Sequence, residues 1–447
     1  MKPQSLLALL PGFLQRAIGT YDFETVQSAH LHRGDIQKLF QLSDFNSTAL
    51  VELLLQQIEN HNQNGLHLGA LISVAPRQQV LARARKLDEE RIAGQSRSSL
   101  HGIPFIVKDS IATHPDMGMD TTGGSWALAG SRPSMSSPVV ERLVDAGMIL
   151  VGEASLTEFN RNKGAGFFGG WSPIGGYTRS AYVAELRTDQ GSIGHSTDGS
   201  IVSPASRAAL YALKPTVGRI STDGVILVSD SLDSVGAMAR SPSDLAAVTQ
   251  LMMATVPGQS DTNFSDLMTG KWDGIRLGFV DEKIWQLPEG LCHANEEALA
   301  EMRSTYHGMM QKLRSLGVHV EYPVELPTGD KVWSGIGDII NYEFSGVMDR
   351  YLGSLDASNV RSLEDLVEWN HRHPDKELPP EFPSQSKLES ALACNISASD
   401  HVATVARMRG VAGSEGIDRI LNQYNLDAIV SLSDSPISSV ASAAGEF

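Results

Sequence analysis

Hydrophobic residues recur at helical spacing in two stretches near the start of the chain. Apolar side chains follow three- and four-residue intervals from Ser47 to Ile58, so this stretch is predicted to be a helix that Asn46 or Ser47 caps. A second helix is predicted over residues 75–94, where charged side chains are frequent and Gly94 closes the C-terminus. Neither stretch carries candidate chemistry, and both are interpreted as scaffold.

From Phe105 onward, short apolar runs alternate with helical patterns. Strands are predicted over residues 105–107, 148–151, 275–280, 318–322 and 425–432, and helices over residues 139–146 and 297–316. Strands that alternate with helices in this way are typical of a sheet covered by helices on both faces. The pattern therefore predicts an α/β fold.

The length of the chain allows one large layered domain. Of its 447 residues, we predict that residues 1–34 form an N-terminal lead and residues 35–447 a single domain with its core in residues 100–245. Residues 355–387 are rich in proline and charge. We predict that they form a variable surface segment or lid that influences specificity.

The charge of the chain narrows the classes of partner. A net charge of -16 argues against nucleic acid and anionic membranes as general partners, and favours a small uncharged or cationic substrate. No apolar stretch reaches the length that a membrane span requires.

Two cysteines, Cys292 and Cys394, are too few for a disulfide framework. Gly164–Gly169 matches G-x-G-x-x-G, but its flanks do not fit a dinucleotide-binding strand and helix.

Small residues surround Ser200, which is the first candidate for chemistry. Gly199 lets the backbone pass close to a ligand, and a helix is predicted over residues 205–212. Ser200 would then lie ahead of a helix N-terminus, where the amides of Thr197, Asp198 and Gly199 could hold an oxyanion. The segment is consistent with a nucleophilic serine and also with an ordinary Gly/Ser-rich turn.

Lys108 ends the predicted strand Phe105–Val107 and is the second candidate. Burial at this position would lower the pKa of the amine, and a neutral lysine can accept a proton. Taken alone, the position also fits a lysine that extends from a strand end to solvent. Lys214 is a competing base, but its expected place at a helix C-terminus already explains its charge.

Two segments with their flanks resemble the amidase signature family of serine hydrolases. They read L-H-G-I-P-x-x-V-K-D-x-I over residues 100–111 and T-D-G-S-I-V-S-P-A-S-R-A-A-L-Y-A-L-K-P-T over residues 197–216. The resemblance covers residues 35–245 well. It implies α/β/α layers around a mixed sheet, a small-molecule amide or ester substrate, no metal or other cofactor, and a Ser–Ser–Lys triad. In that triad Lys108 matches the base and Ser200 the nucleophile.

The chain departs from the family pattern at the bridging serine. Family members carry this serine in a G-S-S-x-G-S run ahead of the nucleophile, and the sequence before Ser200 has no such run. Ser180 and Ser192 are the remaining candidates, and we expect that the segment is deleted. Relatives also continue beyond the position of Phe447. We therefore expect a sheet that is incomplete at the C-terminus, with an open edge that a homo-oligomer would cover.

Three interpretations follow. The protein is an active amidase-signature hydrolase, a catalytically impaired homologue that binds ligands or has no function, or the product of a gene model that lacks a segment. An α/β-hydrolase elbow at Ser196 is a weaker alternative, because Asp198 stands where that turn needs glycine. Pro11 interrupts the N-terminal apolar run, so a cytoplasmic location is expected, with secretion as the alternative.

Overall fold

The computed structural model describes residues 33–42, 45–166, 169–180, 199–253, 263–286, 295–433 and 435–445. The helices are α1 (Arg33–Leu42), α2 (Ser47–His61), α3 (Arg77–Ile92), α4 (Pro138–Asp145), α5 (Glu158–Arg161), α6 (Val202–Arg207), α7 (Pro242–Met252), α8 (Glu296–Ser315), α9 (Gly329–Gly353), α10 (Leu363–Arg372), α11 (Pro374–Glu377), α12 (Ser386–Leu392), α13 (Ala398–Arg409), α14 (Asp418–Gln423) and α15 (Ile437–Ala444). Shorter or irregular turns are the 3-10 helices Pro115–Met117 and Trp126–Leu128 and the π-helix Gly410–Ile417.

The strands are β1 (Leu71–Val74), β2 (Pro104–Lys108), β3 (Arg132–Pro133), β4 (Ile149–Ala154), β5 (Trp171–Ser172), β6 (Gly176–Tyr177), β7 (Tyr211–Leu213), β8 (Ala237–Ala239), β9 (Arg276–Val280), β10 (His319–Val324), β11 (Leu355–Ala357) and β12 (Ala428–Val430). One sheet has the order β1-β4-β2, with β2 parallel and β1 antiparallel to β4. A second sheet has the order β10-β9-β12, and its strands are parallel. The prediction of an α/β fold with mixed pairing is confirmed.

The local signals in the sequence place several element ends correctly. Asn46 caps α2, since its side-chain oxygen accepts a hydrogen bond of 2.9 Å from the amide of Ala49. The chain leaves α3 through Gly94, whose φ of 73° lies in the left-handed region. Capping groups and glycines act locally, which is why these ends can be predicted without the tertiary structure.

Helix α9 joins two parts of the hydrophobic core. Its side chains Phe344, Val347 and Met348 pack in one cluster with residues of α10 and α12. Two to four turns earlier, Val332 and Ile336 pack in a second cluster with residues of β10, α13 and α15. Both clusters are buried, so α9 connects two parts of the core through apolar contacts along its length.

The predicted helix over residues 205–212 is wrong in its extent. Helix α6 ends at Arg207, and Ala209 follows with a φ of 52°. Residues Tyr211–Leu213 then form β7, which pairs antiparallel with β8. Strand pairing therefore overrides the helical propensity of this alanine-containing stretch. Lys214 follows a strand, so the helix C-terminus that was expected to explain its charge does not exist.

Residues 355–387, which were predicted to form a variable surface segment, also contribute to the core. Leu355 and Val360 are buried there, and so are Leu363 and Leu366 of α10. No helix in the described ranges has both the length and the apolar composition needed to cross a bilayer.

Candidate active site

A cavity of about 710 Å³ lies at the C-terminal end of β2. Its walls are largely apolar and come from β2, α4, β8 and α7. Its polar lining among the described residues consists of Lys108, Ser110, Ser155, Asn160, Ser200, Lys214, Asp233, Ser234, Arg240 and Asp244. An apolar pocket with a few convergent polar groups is the usual form of a small-molecule site.

Lys108 reaches the cavity from the last position of β2. It lies beside Ala154 in the parallel pairing of β2 with β4, and the preceding residue Val107 is buried. Burial lowers the pKa of Lys108 to about 8, and the charge of Asp233 opposes this shift. The amine is therefore neutral far more often than an exposed lysine at the same pH. This is the property that the sequence analysis required of a base.

Ser200 lies on the same cavity, in the turn that leads into α6. Gly199 also lines the cavity, and its carbonyl accepts a hydrogen bond of 3.0 Å from the amide of Ser203. The two outer members of the expected triad, Lys108 and Ser200, are thus brought together at one site. The other two expected oxyanion residues, Thr197 and Asp198, lie outside the described residues.

The two candidates for the bridging serine are Ser180 and Ser192. Ser192 lies outside the described residues. Ser180 is described, but it does not belong to the described lining of the cavity. Its assignment as a bridging group stays a prediction, and Ser196 of the alternative elbow also lies outside the described residues.

A loop before β8 brings Asp233 and Ser234 to the cavity. The Asp233 Oδ2 atom accepts hydrogen bonds from the amides of Val228, at 2.6 Å, and Ser229, at 3.3 Å. Burial raises the pKa of Asp233 to about 7, while those amides and the charge of Lys108 act in the opposite direction. Neither residue was predicted from the sequence to have a role at the site. An aspartate within the apolar and small-residue stretch Leu232–Gly236 was the available signal.

The loop is fixed from outside by Glu343 of α9. The Glu343 carboxylate accepts hydrogen bonds from the hydroxyls of Ser229 and Ser231, and from the Ser231 amide at 3.0 Å. His401 of α13 contacts the same carboxylate through Nε2 at 2.8 Å. Burial raises the pKa of Glu343, but the serine hydrogen bonds prevail and hold it below its usual range. An ionised Glu343 therefore anchors the segment that precedes Asp233.

Lys214 is the second lysine of the cavity. Burial and the neighbouring charge of Arg409 together lower its pKa to about 8. Lys214 thus shares with Lys108 the property expected of a base. The two differ in their position, since Lys108 ends β2 and Lys214 follows β7.

Behind β2 and β4, two buried carboxyl groups lie on the opposite face from Lys108. Asp109 accepts hydrogen bonds from the amides of Thr122, at 2.7 Å, and Gly124, at 3.0 Å. Glu153 Oε1 accepts from the hydroxyls of Thr113 and Thr121, both at 2.8 Å. Burial raises the pKa of Asp109 to about 6, and burial together with the Asp109 charge raises that of Glu153 well above its ordinary value. Both shifts favour the protonated form of these carboxyl groups relative to exposed ones.

Lys163, Glu158 and Glu377 form a buried cluster of ion pairs. The Lys163 ammonium donates to Glu158 at 2.9 Å, to the Glu377 carbonyl at 2.7 Å and to the Glu377 carboxylate. All three side chains are fully buried. The Glu377 carboxylate also accepts from the Trp126 amide at 2.6 Å. This cluster joins α5, α11 and the loop between α5 and β5, and no local pattern in the sequence predicts it.

Groups of three or more histidine, cysteine or acidic side chains that could hold a metal ion are not found in the described residues.

Comparisons with known proteins agree with this fold. A family model described as Amidase matches residues 49–169 and 175–436. A putative amidase of Schizosaccharomyces pombe is 28% identical and covers 86% of this chain and 75% of its own length. A probable amidase of Arabidopsis thaliana is 29% identical, with coverages of 92% and 81%.

Solved structures give the same result. A peptide amidase from Stenotrophomonas maltophilia matches with a TM-score of 0.78 and 32% identity, over 93% of this chain and 88% of that one. An amidase family protein from Bacillus anthracis matches with a TM-score of 0.77 over 98% and 87%, and at 22% identity it supports the fold alone. The resemblance expected from residues 100–111 and 197–216 is confirmed, and this chain belongs to the amidase family.

Proposed function

We propose that this protein hydrolyses a carboxamide bond, or an ester bond, in a small organic substrate, with Ser200 as nucleophile and Lys108 as general base. The observation that carries the proposal is that Lys108 and Ser200 line one cavity, although 91 positions of sequence separate them. A second support is the lowered pKa of Lys108, because only the neutral amine can take up a proton.

In this mechanism the Ser200 hydroxyl loses its proton towards Lys108 as its oxygen attacks the carbonyl carbon. The developing oxyanion is held by backbone amides, for which we propose those of Thr197, Asp198, Gly199 and Ser200. Collapse of the tetrahedral intermediate breaks the C–N bond, and the proton passes to the leaving nitrogen. Water then repeats the attack on the acyl-enzyme and releases the acid.

The lining of the cavity suggests the kind of substrate. Apolar side chains of β2, α4 and β8 surround the polar groups, so the acyl part next to the scissile carbonyl is proposed to be apolar. A structurally similar protein is a peptide amidase. We propose by analogy that C-terminal or side-chain amides of short, apolar compounds are the first substrates to test.

The test is turnover of simple aryl amides and aryl esters by the purified protein, with Ser200→Ala as the control. The proposal expects release of the aryl amine by the wild type and none by the variant. Equal release by both would contradict the role of Ser200, because a residual contaminating or non-specific activity would then explain the signal.

A catalytically impaired homologue is the second candidate. It is favoured by the sequence between Gly170 and Ser200, which has no G-S-S-x-G-S run, and by the position of Ser180, which does not reach the described cavity lining. A protein that melts cooperatively and binds amides but never releases product would support this candidate. Sequencing the transcript across residues 177–200 would reveal a segment lost from the gene model.

A further inference from the structure

A loop of the cavity wall brings a second serine to the site of Lys108 and Ser200. The Oγ atom of Ser234 is buried and has no hydrogen-bond partner in the described part of the chain. Ser234 lines the same cavity as Lys108 and Ser200. This hydroxyl makes no hydrogen bond to Lys108 or Ser200 here, and catalytic hydrogen bonds commonly form only when substrate binds.

Gly236 packs closely against segments that follow Ser200. A Cβ atom at Gly236 would stand 2.2 Å from the carbonyl oxygen of Leu213 in β7 and 2.8 Å from the Ile201 Cδ1 atom. Ile201 directly follows Ser200, and Ser234 lies two residues before Gly236. The loop of Ser234 therefore packs against the side chain next to the proposed nucleophile.

The same loop also faces Lys108. The carboxyl group of Asp233, next to Ser234, interacts electrostatically with the Lys108 ammonium. The Asp233 backbone amide donates to the Ser229 carbonyl at 3.1 Å, and Glu343 holds Ser231, so the loop is fixed on both sides of Leu232. Ser234 thus belongs to an anchored loop that interacts electrostatically with Lys108 and packs against Ile201, next to the proposed nucleophile.

A second buried hydroxyl of the cavity is that of Ser155, whose Oγ also has no partner in the described residues. Ser155 follows Ala154, the partner of Lys108 in the sheet, whereas the loop of Ser234 also packs against Ile201 beside the proposed nucleophile. Ser137 Oγ is likewise buried without a partner in the described residues, but Ser137 does not belong to the described lining of the cavity. Ser137 is therefore the matched control for Ser234.

We infer that the hydroxyl of Ser234 carries the proton between Ser200 and Lys108, in the role that the bridging serine has in the Ser–Ser–Lys triad. The inference rests on the proposed hydrolase function. When the Ser200 oxygen bonds to the carbonyl carbon, its proton passes to the Ser234 oxygen, and the Ser234 proton passes to the Lys108 amine. When the C–N bond breaks, Lys108 returns its proton to Ser234, and Ser234 protonates the leaving nitrogen. The step needs no co-reactant, and both residues end in their starting state.

The test compares Ser234→Ala with Ser137→Ala in aryl amide turnover and in the rate of fluorophosphonate labelling of Ser200. Ser234→Ala is expected to lower kcat and the labelling rate by about 100-fold with little change in KM. The rise of the rate with pH that comes from Lys108 is also expected to disappear. Ser137→Ala is expected to keep both rates and the pH profile of the wild type.

A second pair of variants covers the case in which Ser234→Ala does not melt cooperatively. Ser234→Thr and Ser234→Val have nearly the same shape and differ by the hydroxyl, so only the threonine variant is expected to retain labelling. Wild-type rates in Ser234→Ala or Ser234→Val overturn the role of Ser234 and leave the hydrolase function standing. A wild type that is neither labelled nor active overturns both the role and the function.

Discussion

Lys108 and Asp233 oppose each other's pKa shifts across the cavity. Burial lowers the pKa of Lys108 to about 8 and raises that of Asp233 to about 7, and the charge of each group counteracts the effect of burial on the other. Between about pH 7 and 8 the lysine is mostly protonated and the aspartate mostly ionised. Above this interval the lysine becomes a neutral base beside a carboxylate, which is the form that the proposed mechanism uses.

The activity is therefore expected to rise with pH. The neutral fraction of Lys108 increases as the pH passes its pKa of about 8, so kcat/KM should rise between pH 7 and 9 and then level off. Lys108→Met removes the amine and should lower kcat/KM by at least about 100-fold at every pH. A pH–rate profile of both proteins checks this, and a wild-type profile that falls over the same interval would disagree with a lysine base.

Replacement of Asp233 is expected to move this profile. Asp233→Asn removes the negative charge that raises the pKa of Lys108, so the rising limb should shift to lower pH. The asparagine oxygen can still accept from the Val228 amide, which keeps the loop in place. Asp230→Asn is the matched control, because Asp230 pairs with Arg350 at the exposed side of the same loop. A pH–rate profile of Asp233→Asn that rises at the same pH as that of the wild type would contradict the electrostatic interaction between Asp233 and Lys108.

Glu153 provides a pH-dependent test of stability. The folded protein raises the pKa of Glu153 well above 4.5, so it keeps a proton that the unfolded chain loses. Stability from this group is therefore lost as the pH rises above 4.5 towards the folded pKa. Glu153→Gln cannot lose a proton, and its free energy of unfolding relative to wild type should increase from pH 5 to 9.

Urea unfolding of wild type and Glu153→Gln at several pH values measures this difference. Glu368→Gln, on the exposed side of α10, should show a difference that does not change with pH. A difference for Glu153→Gln that also stays constant with pH would mean that the folded protein does not raise the pKa of Glu153.

The ion pair of Lys163 is expected to dominate the stability of its region. Lys163→Met leaves Glu158 and Glu377 buried without their cation, and removal of one partner from such a cluster costs about 3–5 kcal/mol. Arg276→Met breaks an exposed pair with Asp427 and should change the melting temperature little. Thermal and denaturant unfolding of the two variants compares them. Equal small losses would mean that the buried cluster contributes no more than a surface pair.

The fold and part of the site could be predicted from the sequence because their signals are local. Alternating apolar runs fixed the strands near Phe105 and Ile149, and the residue types around Lys108 and Ser200 identified the candidate base and nucleophile. The helix beyond Arg207 was mispredicted because Tyr211–Leu213 pairs with a strand 26 residues further on, at Ala237–Ala239. Local propensity contains no information about such a partner.

The roles of Asp233, Ser234 and Lys163 could not be predicted for a similar reason. Each depends on contacts with distant segments, such as Glu343 for the loop of Asp233 and Glu377 for Lys163. Burial of these groups, which shifts the pKa of Asp233, is a property of the folded chain.

The central claim is that the Ser200 hydroxyl is a nucleophile activated by the amine of Lys108. Mass spectrometry of fluorophosphonate-treated wild type, Ser200→Ala and Lys108→Met at pH 9 tests it most directly. The account predicts an adduct on the peptide that contains Ser200 in the wild type, none there in Ser200→Ala, and labelling slowed by at least about 100-fold in Lys108→Met. No adduct on Ser200, or equal labelling with and without Lys108, would contradict it.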